Sequence, residues 1–497
     1  MNLKPTDVPL SVKDFDREVC GYCLGCSCNC GYIAYLKKDK IVDVYGHPYD
    51  PNSVGSLCNK GIALIAETDL NPLRVKIPLI RNGKEFRKAS LEEIKRIVLK
   101  GEESKRAVLL GKFSTFEDYI ILRTFTENIY TTGVFLPFKP SSIPPYQWKD
   151  TDLIITIEAD PVMSEVMSTR WIIDAVEKGA YLINISSRFN TISAKAESNY
   201  ILSPPQIKYA LESILEGTEE HWSKIKKYLK SSKFTLIIVG ETILKSPFRN
   251  NIINFVKLTR ELFNAEYSFI GNITNVRIRE IKDFCFDNYE LIISVDNTLY
   301  EFENIPENKD IISFSLFPDI TALHSKVVMP LTFFTEKDCI PLFNCFGYKT
   351  KSEKIKEGND YIKEIFNSKN ESKEVRVYEN DLLDIKLEMK EEKVDLNDIY
   401  MVVGESLVEV WGHWYPWLHS IEPEQKVYMN KSTAGLLGLK PGDKLKGITV
   451  EITPAIADNT IFVPESFEES QPFNQGVRKG RILNRPGYRV WRYEDEH

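Results

Sequence analysis

The sequence predicts an α/β protein made of a β-rich, cysteine-containing domain, two Rossmann-like domains with parallel sheets, and a small C-terminal β-barrel. Three observations support this fold class. Six of the nine cysteines lie within residues 19–61. From about residue 90 onward, short apolar runs alternate with amphipathic segments, which is typical of a parallel sheet whose strands are joined by helices. After residue 396, short strands alternate with turn residues such as Pro441 and Gly442, as in small barrels.

We expect four domains, at residues 1–75, 76–230, 231–375 and 376–497. The chain has 497 residues, of which 43% are hydrophobic and 27% charged, so it is long enough to form several cores. Residues 349–396 are rich in lysine and glutamate and show little apolar periodicity. We therefore expect this stretch to be a surface excursion or a linker.

The cysteine-rich stretch predicts a metal or redox cluster. Five cysteines fall within eleven residues, and thiolates are preferred ligands of iron-sulfur clusters and of zinc. In one interpretation, Cys23-x2-Cys26-x3-Cys30 is followed after 27 residues by Cys58, and the four thiolates hold one [4Fe-4S] cluster. The sequence assigns no role to the neighbouring Cys20 and Cys28.

Two other interpretations of the same cysteines remain open. Cys20, Cys23, Cys26 and Cys30 have the spacing of bacterial ferredoxins, although Gly31 replaces the expected proline and the chain has no second such run. Alternatively, four thiolates could hold zinc, but zinc would leave Cys28 and the C-x3-C spacing without a purpose.

The segments after the cysteine run support convergence of its thiols. The run YIAYLKKDKIVDVYG predicts a β-hairpin that begins near Cys30, and GHPYDPNSVGS predicts a loop that holds Cys58 behind the hairpin. Farther along, Ser90 and Glu93 form a predicted capping box at the start of the helix SLEEIKRIVLK.

Charge and hydropathy exclude several kinds of partner. The net charge of -7 gives no positive field for nucleic acid or for an anionic membrane. No stretch approaches 18 consecutive apolar residues, and the first twenty residues lack an apolar signal segment, so we expect neither direct membrane insertion nor export. Crowded thiols favour a reducing compartment. We expect a cytoplasmic protein, which a partner subunit can tether to a membrane.

These residues carry a resemblance to a known family. Cys23, Cys26, Cys30 and Cys58, together with the ending GSLCNKG, resemble the N-terminal cluster domain of the molybdopterin oxidoreductase superfamily, which includes formate dehydrogenases and the catalytic subunit of formylmethanofuran dehydrogenase. Later segments are similar at lower detail, among them DTDLIITIEADP, TALHSKVVMPLTFF and KVYMNKSTAGLLGLKPGDKLKG. The likeness implies a compact, divergent large subunit whose C-terminal barrel is of the dinucleotide-binding type.

The resemblance also implies roles for individual residues. It assigns Cys23, Cys26, Cys30 and Cys58 to a [4Fe-4S] cluster and makes Lys60 an electron relay between that cluster and a pterin. It places three residues on the side of a molybdopterin guanine dinucleotide that carries molybdenum or tungsten: Arg188, His413 and Asn474. For His413, a core or interface position is the alternative.

Other positions depart from the family pattern. The segment that supplies the metal ligand in the family contains no cysteine here, and its hydroxyl candidates, Ser141 and Ser142, have proline neighbours that favour turn roles. Glu158 and Asp160 stand where the resemblance places a phosphate, and carboxylates oppose phosphate binding. The segment from Trp411 to Trp417 is a candidate docking surface, with core packing as the alternative. The remaining cysteines, Cys285, Cys339 and Cys345, are expected to be buried.

Three functional hypotheses follow. In the first, the chain is an iron-sulfur redox subunit that passes electrons within a larger oxidoreductase complex with other redox subunits, and its molybdenum site is reduced or lost. In the second, it is an active molybdenum or tungsten bis-pterin oxidoreductase similar to formate dehydrogenase. In the third, it is a zinc-binding module without redox activity. An oxidoreductase subunit of the molybdopterin-dependent type is the favoured class.

Overall fold

The chain forms a small antiparallel sheet, two large sheets of mainly parallel strands, and a mixed C-terminal sheet. The computed structural model describes residues 14–98, 102–302, 304–332, 341–343, 360–366, 378, 380–387, 396, 398–404, 414–415, 418, 426–465, 476–485 and 488–493. No helix in these ranges is both long and apolar enough to cross a bilayer.

Helices and strands are numbered here in chain order. The strands are β1 Arg17–Tyr22, β2 Gly31–Lys37, β3 Lys40–Gly46, β4 Leu79–Asn82, β5 Glu85–Lys88, β6 Arg106–Leu110, β7 Ile129–Thr131, β8 Val134–Phe135, β9 Leu153–Ile157, β10 Tyr181–Ser186, β11 Ser198–Ile201, β12 Thr235–Gly240, β13 Glu266–Ile270, β14 Ile273–Thr274, β15 Arg279–Glu280, β16 Leu291–Val295, β17 Asp310–Ser315, β18 Val327–Pro330, β19 Ile399–Gly404, β20 Lys426–Met429, β21 Lys444–Leu445, β22 Ile448–Ile452, β23 Thr460–Pro464, β24 Gly476–Arg485 and β25 Tyr488–Tyr493. The α-helices are α1 Asn59–Leu70, α2 Leu91–Val98, α3 Phe116–Arg123, α4 Pro161–Ser164, α5 Thr169–Glu177, α6 Pro204–Glu216, α7 Glu220–Ser231, α8 Glu241–Leu244, α9 Arg249–Phe263, α10 Ile320–His324, α11 Asp360–Phe366 and α12 Lys431–Leu437. Short 3₁₀ helices lie at Glu103–Lys105, Pro145–Asp150, Thr191–Lys195, Ile281–Asp283, Phe286–Asn288, Leu299–Glu301 and Leu382–Asp384.

The predicted hairpin after the cysteine run is confirmed. Strands β1, β2 and β3 form an antiparallel sheet in that order. Lys38 and Asp39 connect β2 to β3 with φ angles of 49° and 60°, the left-handed backbone that a two-residue hairpin turn requires. The helix predicted from Ser90 is also present as α2, and the Glu93 N–H donates to the Ser90 hydroxyl at 3.3 Å.

A five-stranded parallel sheet forms the middle of the molecule. Its order is β11-β10-β9-β12-β13, with every neighbouring pair parallel. All five residues of the central strand β9, LIITI, are buried, as expected for a strand with helices on both faces. Helices α6 and α9 pack their apolar residues on one face of this sheet, and α5 packs on the other.

A second sheet of eight strands is built from two separate parts of the chain. Its order is β15-β7-β6-β16-β17-β18-β4-β5, parallel from β15 to β18 and antiparallel at β4 and β5. The chain leaves this sheet after β7, builds the five-stranded sheet, and returns at β15. The short strands β8 and β14 pair where it leaves and returns. The expected division at residue 230 therefore cuts across the five-stranded sheet, because β12 pairs with β9.

The C-terminal strands form a sheet of seven, in the order β21-β22-β20-β23-β19-β24-β25. Parallel and antiparallel pairs are mixed, and β21 and β25 stand at the two ends of the order. Closure into the expected barrel is not among the described pairings.

The segment expected to be a surface excursion contributes to the core. Helix α11 buries Ile362, Ile365 and Phe366, and the Phe366 ring meets the Phe125 ring edge-on at 4.9 Å between centroids. The expectation is therefore wrong for these residues, because three apolar side chains within five positions are enough to anchor one short helix.

Candidate metal centre

Four of the cysteines lie in the tight loop between β1 and β2. The Cys23 N–H donates to the Cys30 carbonyl at 2.9 Å, so the β1–β2 pairing closes the loop at its base. Inside it, Asn29 adopts a φ of 45° and its side-chain amide donates to the Cys26 carbonyl at 3.1 Å. This folding turns four side chains inward: Cys23, Cys26, Cys28 and Cys30 are all buried.

Cys58 approaches the same loop from the start of helix α1. It is the N-cap residue, and its sulfur accepts the Gly61 N–H at 3.3 Å. A Cβ atom at Gly61 would lie 3.3 Å from the Cys23 sulfur and 3.8 Å from the Cys58 sulfur. Both thiols therefore border one glycine. The helix N-terminus also favours a thiolate at Cys58, because its unpaired N–H groups carry partial positive charge.

Lys60 lies against these thiols with only 1% of its surface exposed. Burial and the neighbouring thiols raise the pKa of Cys23, Cys26 and Cys58, and the Lys60 ammonium group acts in the opposite direction, which places a positive charge where thiolates would form. The ammonium group also donates to the Met163 carbonyl on α4 at 3.4 Å. Lys60 thus spans from the cysteine loop to helix α4, which follows β9.

Burial has a large effect on the thiols. It raises the pKa of Cys23 and of Cys58, because a buried thiolate has lost its hydration. For Cys30, the hydrogen bond with Cys28 lowers the pKa, but burial and the neighbouring thiols outweigh it and bring the pKa to about 12. The thiols are therefore neutral without metal, and iron would have to displace their protons.

Cys20 lies apart from this group. It is exposed on β1, opposite Ile33 of β2, whereas the other five cysteines of the stretch are buried or half-buried. The ferredoxin-like interpretation needs Cys20 as a ligand, and its position does not support that set.

The buried partners of the cysteine loop come from a distant segment. The Ser27 hydroxyl donates to Glu165, and the Cys28 sulfur lies 3.1 Å from the Ser168 hydroxyl. Burial raises the pKa of Glu165 to about 7, while hydrogen bonds from Ser27 and Ser168 act in the opposite direction. No local sequence pattern indicates these contacts, because the partners are separated by 138 and 140 residues.

Two further contacts dock the same loops onto α5. The Trp171 indole donates to the Asn52 carbonyl at 3.1 Å, and Arg170 donates to the Ser53 carbonyl at 3.2 Å. The loop before Cys58 is therefore held against the five-stranded sheet. The cysteine domain and this sheet share one buried boundary, and Lys60, Glu165 and Ser168 lie within it.

Of the three residues expected on the pterin side, the structure describes Arg188; His413 and Asn474 lie outside the described residues. Arg188 is buried after β10, where its guanidinium donates to Asp160 at 3.1 Å. It also stacks over the Phe462 ring, 4.0 Å from the centroid. The guanidinium thus has an anionic partner and an aromatic partner from the protein itself.

Carboxylates fill the turns at the ends of three strands. After β9, Glu158 has a φ of 43° and accepts the Ser187 N–H at 2.8 Å. After β12, Glu241 accepts the Asn272 N–H at 2.6 Å and pairs with Lys245 at 2.9 Å. After β16, Asp296 accepts the Phe113 N–H at 3.1 Å. Backbone N–H groups at such turns commonly bind phosphate, and here side chains of the protein occupy them.

The other candidates have structural partners. The hydroxyls of Ser141 and Ser142 donate to backbone carbonyls, Ser141 to Ile143 at 2.6 Å and Ser142 to Tyr267 at 3.1 Å, as turn residues do. Cys285 is exposed, so its expected burial is wrong: the 3₁₀ helix that begins after it leaves its side chain at the surface. Cys339 and Cys345 lie outside the described residues.

In the aromatic segment, two members pack into the core. The Trp414 ring stacks on Phe317 at 5.4 Å with an interplanar angle of 5°. The Tyr415 hydroxyl lies 2.7 Å from that of Thr68. Trp411 and Trp417 lie outside the described residues. For Trp414 and Tyr415 the core alternative is therefore the correct one.

No group of three or more His, Cys, Asp or Glu side chains within the described ranges is arranged to hold a single metal ion. The five thiols of the loop and of Cys58 nevertheless act on one another electrostatically. Each iron of a [4Fe-4S] cluster takes one protein thiolate, so four of these five thiols would supply the ligands, and the donor set suits a cluster in its chemistry.

Comparison with known proteins agrees with this description. Residues 17–69 match the Molybdopterin oxidoreductase Fe4S4 domain. No curated protein sequence matches the chain. Among solved structures, the fold is similar to that of acetylene hydratase from Pelobacter acetylenicus, with a TM-score of 0.58 over 90% of this chain and 92% of the other at 12% sequence identity. The domain match supports a [4Fe-4S] cluster, and at this identity the structural likeness shows the fold alone.

Proposed function

We propose that this chain, which has the iron-sulfur domain and the fold of the molybdopterin oxidoreductase superfamily, is an electron-transferring subunit of a larger oxidoreductase complex. One observation carries the proposal: four buried or half-buried thiols, Cys23, Cys26, Cys30 and Cys58, converge beside the buried ammonium group of Lys60. A [4Fe-4S] cluster, when bound, supplies one-electron transfer at potentials that the surroundings set.

The residues around the thiols suit that task. The Gly25 and Gly61 N–H groups donate to the sulfurs of Cys23 and Cys58, at 3.4 Å and 3.3 Å, and so help to stabilise thiolates. Lys60 adds a full positive charge in a site shielded from water, where electrostatic interactions are strong. Together these groups offset the negative charge of four thiolates.

We further propose that the molybdenum site has been lost. A pterin dinucleotide would need backbone amides and a free cation for its phosphates. The turns after β9, β12 and β16 instead hold Glu158, Glu241 and Asp296. Arg188 pairs with Asp160 inside the protein. Among the residues that the structure describes, those at these strand ends do not fit the phosphate groups, and this disagreement supports an electron conduit over an enzyme with its own substrate.

The active-enzyme alternative has one observation in its favour. The Lys60 ammonium group contacts the Met163 carbonyl at the carboxyl end of β9, the edge at which α/β sheets bind their ligands. A relay lysine that reaches this edge is what a cluster serving a pterin would require. The two proposals therefore differ in the metal content that they predict.

Metal analysis with pterin extraction tests the proposal. We expect about four irons per chain, molybdenum and tungsten far below one per chain, and no extractable pterin. Stoichiometric molybdenum or tungsten would establish the active enzyme instead. Zinc without iron would contradict both redox proposals. Co-purification from the native source, under reducing conditions that protect the thiols, would show whether other redox subunits accompany the chain.

A further inference from the structure

One exposed surface adjoins the cysteine loop. Part of it is the loop between β3 and α1, which presents Tyr49, with 88% of its surface exposed, and Val54, with 48%. Asp50 in the same loop accepts the Gly31 N–H at 3.1 Å, directly after the proposed ligand Cys30. A protein that exchanges electrons with these ligands has to approach them closely, and this surface is tied to them by a hydrogen bond.

A tryptophan with two cations forms the other part of this surface. The Trp171 indole donates to the Asn52 carbonyl, so α5 lies against the loop. The Arg170 guanidinium lies 4.8 Å and the Lys149 ammonium group 5.4 Å from the centroid of the Trp171 ring. Tyr146 is exposed on the same 3₁₀ helix as Lys149. Tryptophan, tyrosine and arginine are the residue types that contribute most to binding at protein interfaces.

The charges of this surface favour an acidic partner. Among the described residues, no carboxylate forms an ion pair with Lys149 or Arg170. Asp50 instead accepts backbone N–H groups, and Asp150 pairs with Lys178 at 3.2 Å. Cations over an aromatic ring are complementary to the carboxylates of a partner, which they would meet at contact. Because the whole chain carries a net charge of -7, this attraction is local and acts within a screening length of about 8 Å.

We propose that this surface docks an acidic protein that carries one electron at a time, with Tyr49, Lys149 and Arg170 as its main contacts. The inference rests on the proposed function, since the carrier exchanges electrons with the cluster that the four thiols would hold. One electron moves between the cluster and the carrier, so that one centre is reduced as the other is oxidised, and no covalent bond forms or breaks. Encounters between redox proteins bury little surface, which suits a platform of a few side chains.

The binding of oxidised plant-type ferredoxin, an acidic one-electron carrier, to the iron-loaded full-length chain tests the proposal. Isothermal titration calorimetry at low salt measures the dissociation constant. We expect Lys149→Glu, which sets a like charge against the carrier, to weaken binding by about tenfold. Tyr49→Ala should weaken it severalfold, because the exposed ring loses its contact with the carrier. Raising the salt concentration should weaken wild-type binding and reduce the difference from Lys149→Glu.

The matched control is Lys224→Glu. The Lys224 ammonium group also lies over an aromatic ring, 5.8 Å from the centroid of Tyr228, but on helix α7, which packs with α6 and α9 on the other face of the five-stranded sheet. This variant should keep the wild-type dissociation constant. Zero-length carbodiimide cross-linking gives the location, and we expect it to join Lys149 to a ferredoxin carboxylate.

Several results would overturn the inference. Equal dissociation constants in the wild type, in Lys149→Glu and in Tyr49→Ala would do so, and so would cross-links only to lysines outside this surface. A dimer of the chain that Lys149→Glu dissociates would assign the surface to a second copy. If Lys149→Glu fails to fold, Tyr49→Ala decides, because the Tyr49 side chain is not part of the core.

The inference and the proposed function can fail separately. An iron-loaded chain that binds no ferredoxin contradicts the docking surface but leaves the proposed function standing. A wild-type chain that takes up no iron contradicts the proposed function itself.

Discussion

Cys58 has two roles that one substitution can separate. It caps helix α1, and its sulfur borders the same glycine as that of Cys23. Serine is a good N-cap residue, so Cys58→Ser should leave α1 intact while removing a soft ligand. We expect the visible absorbance of the cluster to be lost, with the far-ultraviolet circular dichroism unchanged. Cys20→Ser should retain the absorbance, and a Cys58→Ser protein with a normal cluster would favour the ferredoxin-like set.

Lys60 brings a positive charge into a site that water does not reach. Replacing it with methionine keeps an unbranched apolar side chain that is only one atom shorter and removes the charge. We expect Lys60→Met to shift the midpoint potential of the cluster to more negative values, because the reduced state loses a stabilising cation. Redox titration checks this, with the exposed Lys76→Met as control. An unchanged potential would mean that the Lys60 charge is balanced elsewhere.

Asp296 should make the stability of the protein depend on pH. Burial raises its pKa to about 6, although backbone N–H groups hold the carboxyl and act in the opposite direction. Since the folded-state pKa lies above the ordinary value of 3.8, the folded protein binds the proton more tightly than the unfolded chain. Stability from this group is therefore fully present below about pH 4 and is lost as the pH rises through about 6.

The isosteric variant Asp296→Asn tests this. Between pH 4 and pH 7, we expect the wild type to lose ~2 kcal/mol more of its free energy of unfolding than the variant does. Urea unfolding at both pH values measures the difference. If the wild type and the variant lose the same free energy of unfolding, Asp296 titrates in the folded protein as it does in the unfolded chain.

At the scale of single residues, the sequence was informative wherever chemistry follows spacing. That Cys23, Cys26, Cys30 and Cys58 approach one another could be expected from their spacing, because cluster ligands come at characteristic separations, whereas a role for Lys60 was expected only from the family resemblance. Glu165 and Ser168 could not, since a serine or glutamate far along the chain carries no local signal. Cys28 was visible in the sequence, but its contacts depend on Ser168, which the fold brings to it from another sheet.

A buried salt bridge joins the turns that follow β9 and β10. Asp160 and Arg188 have only 4% and 10% of their side chains exposed, so their salt bridge is largely dry. Breaking a buried pair by removing one partner leaves an uncompensated charge, which typically costs ~3–5 kcal/mol. Arg188→Met should therefore destabilise the protein strongly, and it also loses the contact with Phe462.

The double variant Asp160→Asn, Arg188→Met should recover part of that loss, because no buried charge remains. Urea unfolding of both variants shows whether the double variant is more stable than Arg188→Met. The exposed pair of Lys178 and Asp150 is the matched control, and Lys178→Met should cost less than about 1 kcal/mol. A double variant less stable than Arg188→Met alone would contradict this account.

At the scale of elements, strand and helix types could be predicted but sheet membership could not. The alternation of apolar strands and amphipathic helices correctly indicates parallel α/β sheets. It does not tell which strands pair, since every strand in such a sheet is similarly apolar. Thus β12 joins β9 across the expected boundary at residue 230, and β16 pairs with β6, about 180 residues earlier in the chain. Which distant strands pair depends on packing contacts between segments that lie far apart in the sequence.

Across the whole molecule, the cysteine domain is held to the five-stranded sheet by Lys60, Ser27, Cys28, Asn52 and Ser53. Removing iron should loosen this boundary, because the loop loses the bonds that fix its thiols. We expect faster amide hydrogen exchange in residues 161–177 of the metal-free protein, measured by mass spectrometry. Helix α9, on the opposite face of that sheet, should exchange at the same rate in both forms. Uniform protection of 161–177 would mean that the boundary forms without metal.

Because the two large sheets are interleaved along the chain, strands that pair with each other are synthesised at different times. Strand β6 needs β16 beside it, yet about 180 residues separate the end of β6 from the start of β16. At ribosomal rates of roughly 5–20 residues per second, β6 waits about 9–36 seconds for its neighbour. The last strand of the five-stranded sheet, β13, ends at Ile270, shortly before β16 begins. Until β16 is made, the newborn chain exposes an apolar strand edge at β6, and such edges favour aggregation and the binding of chaperones.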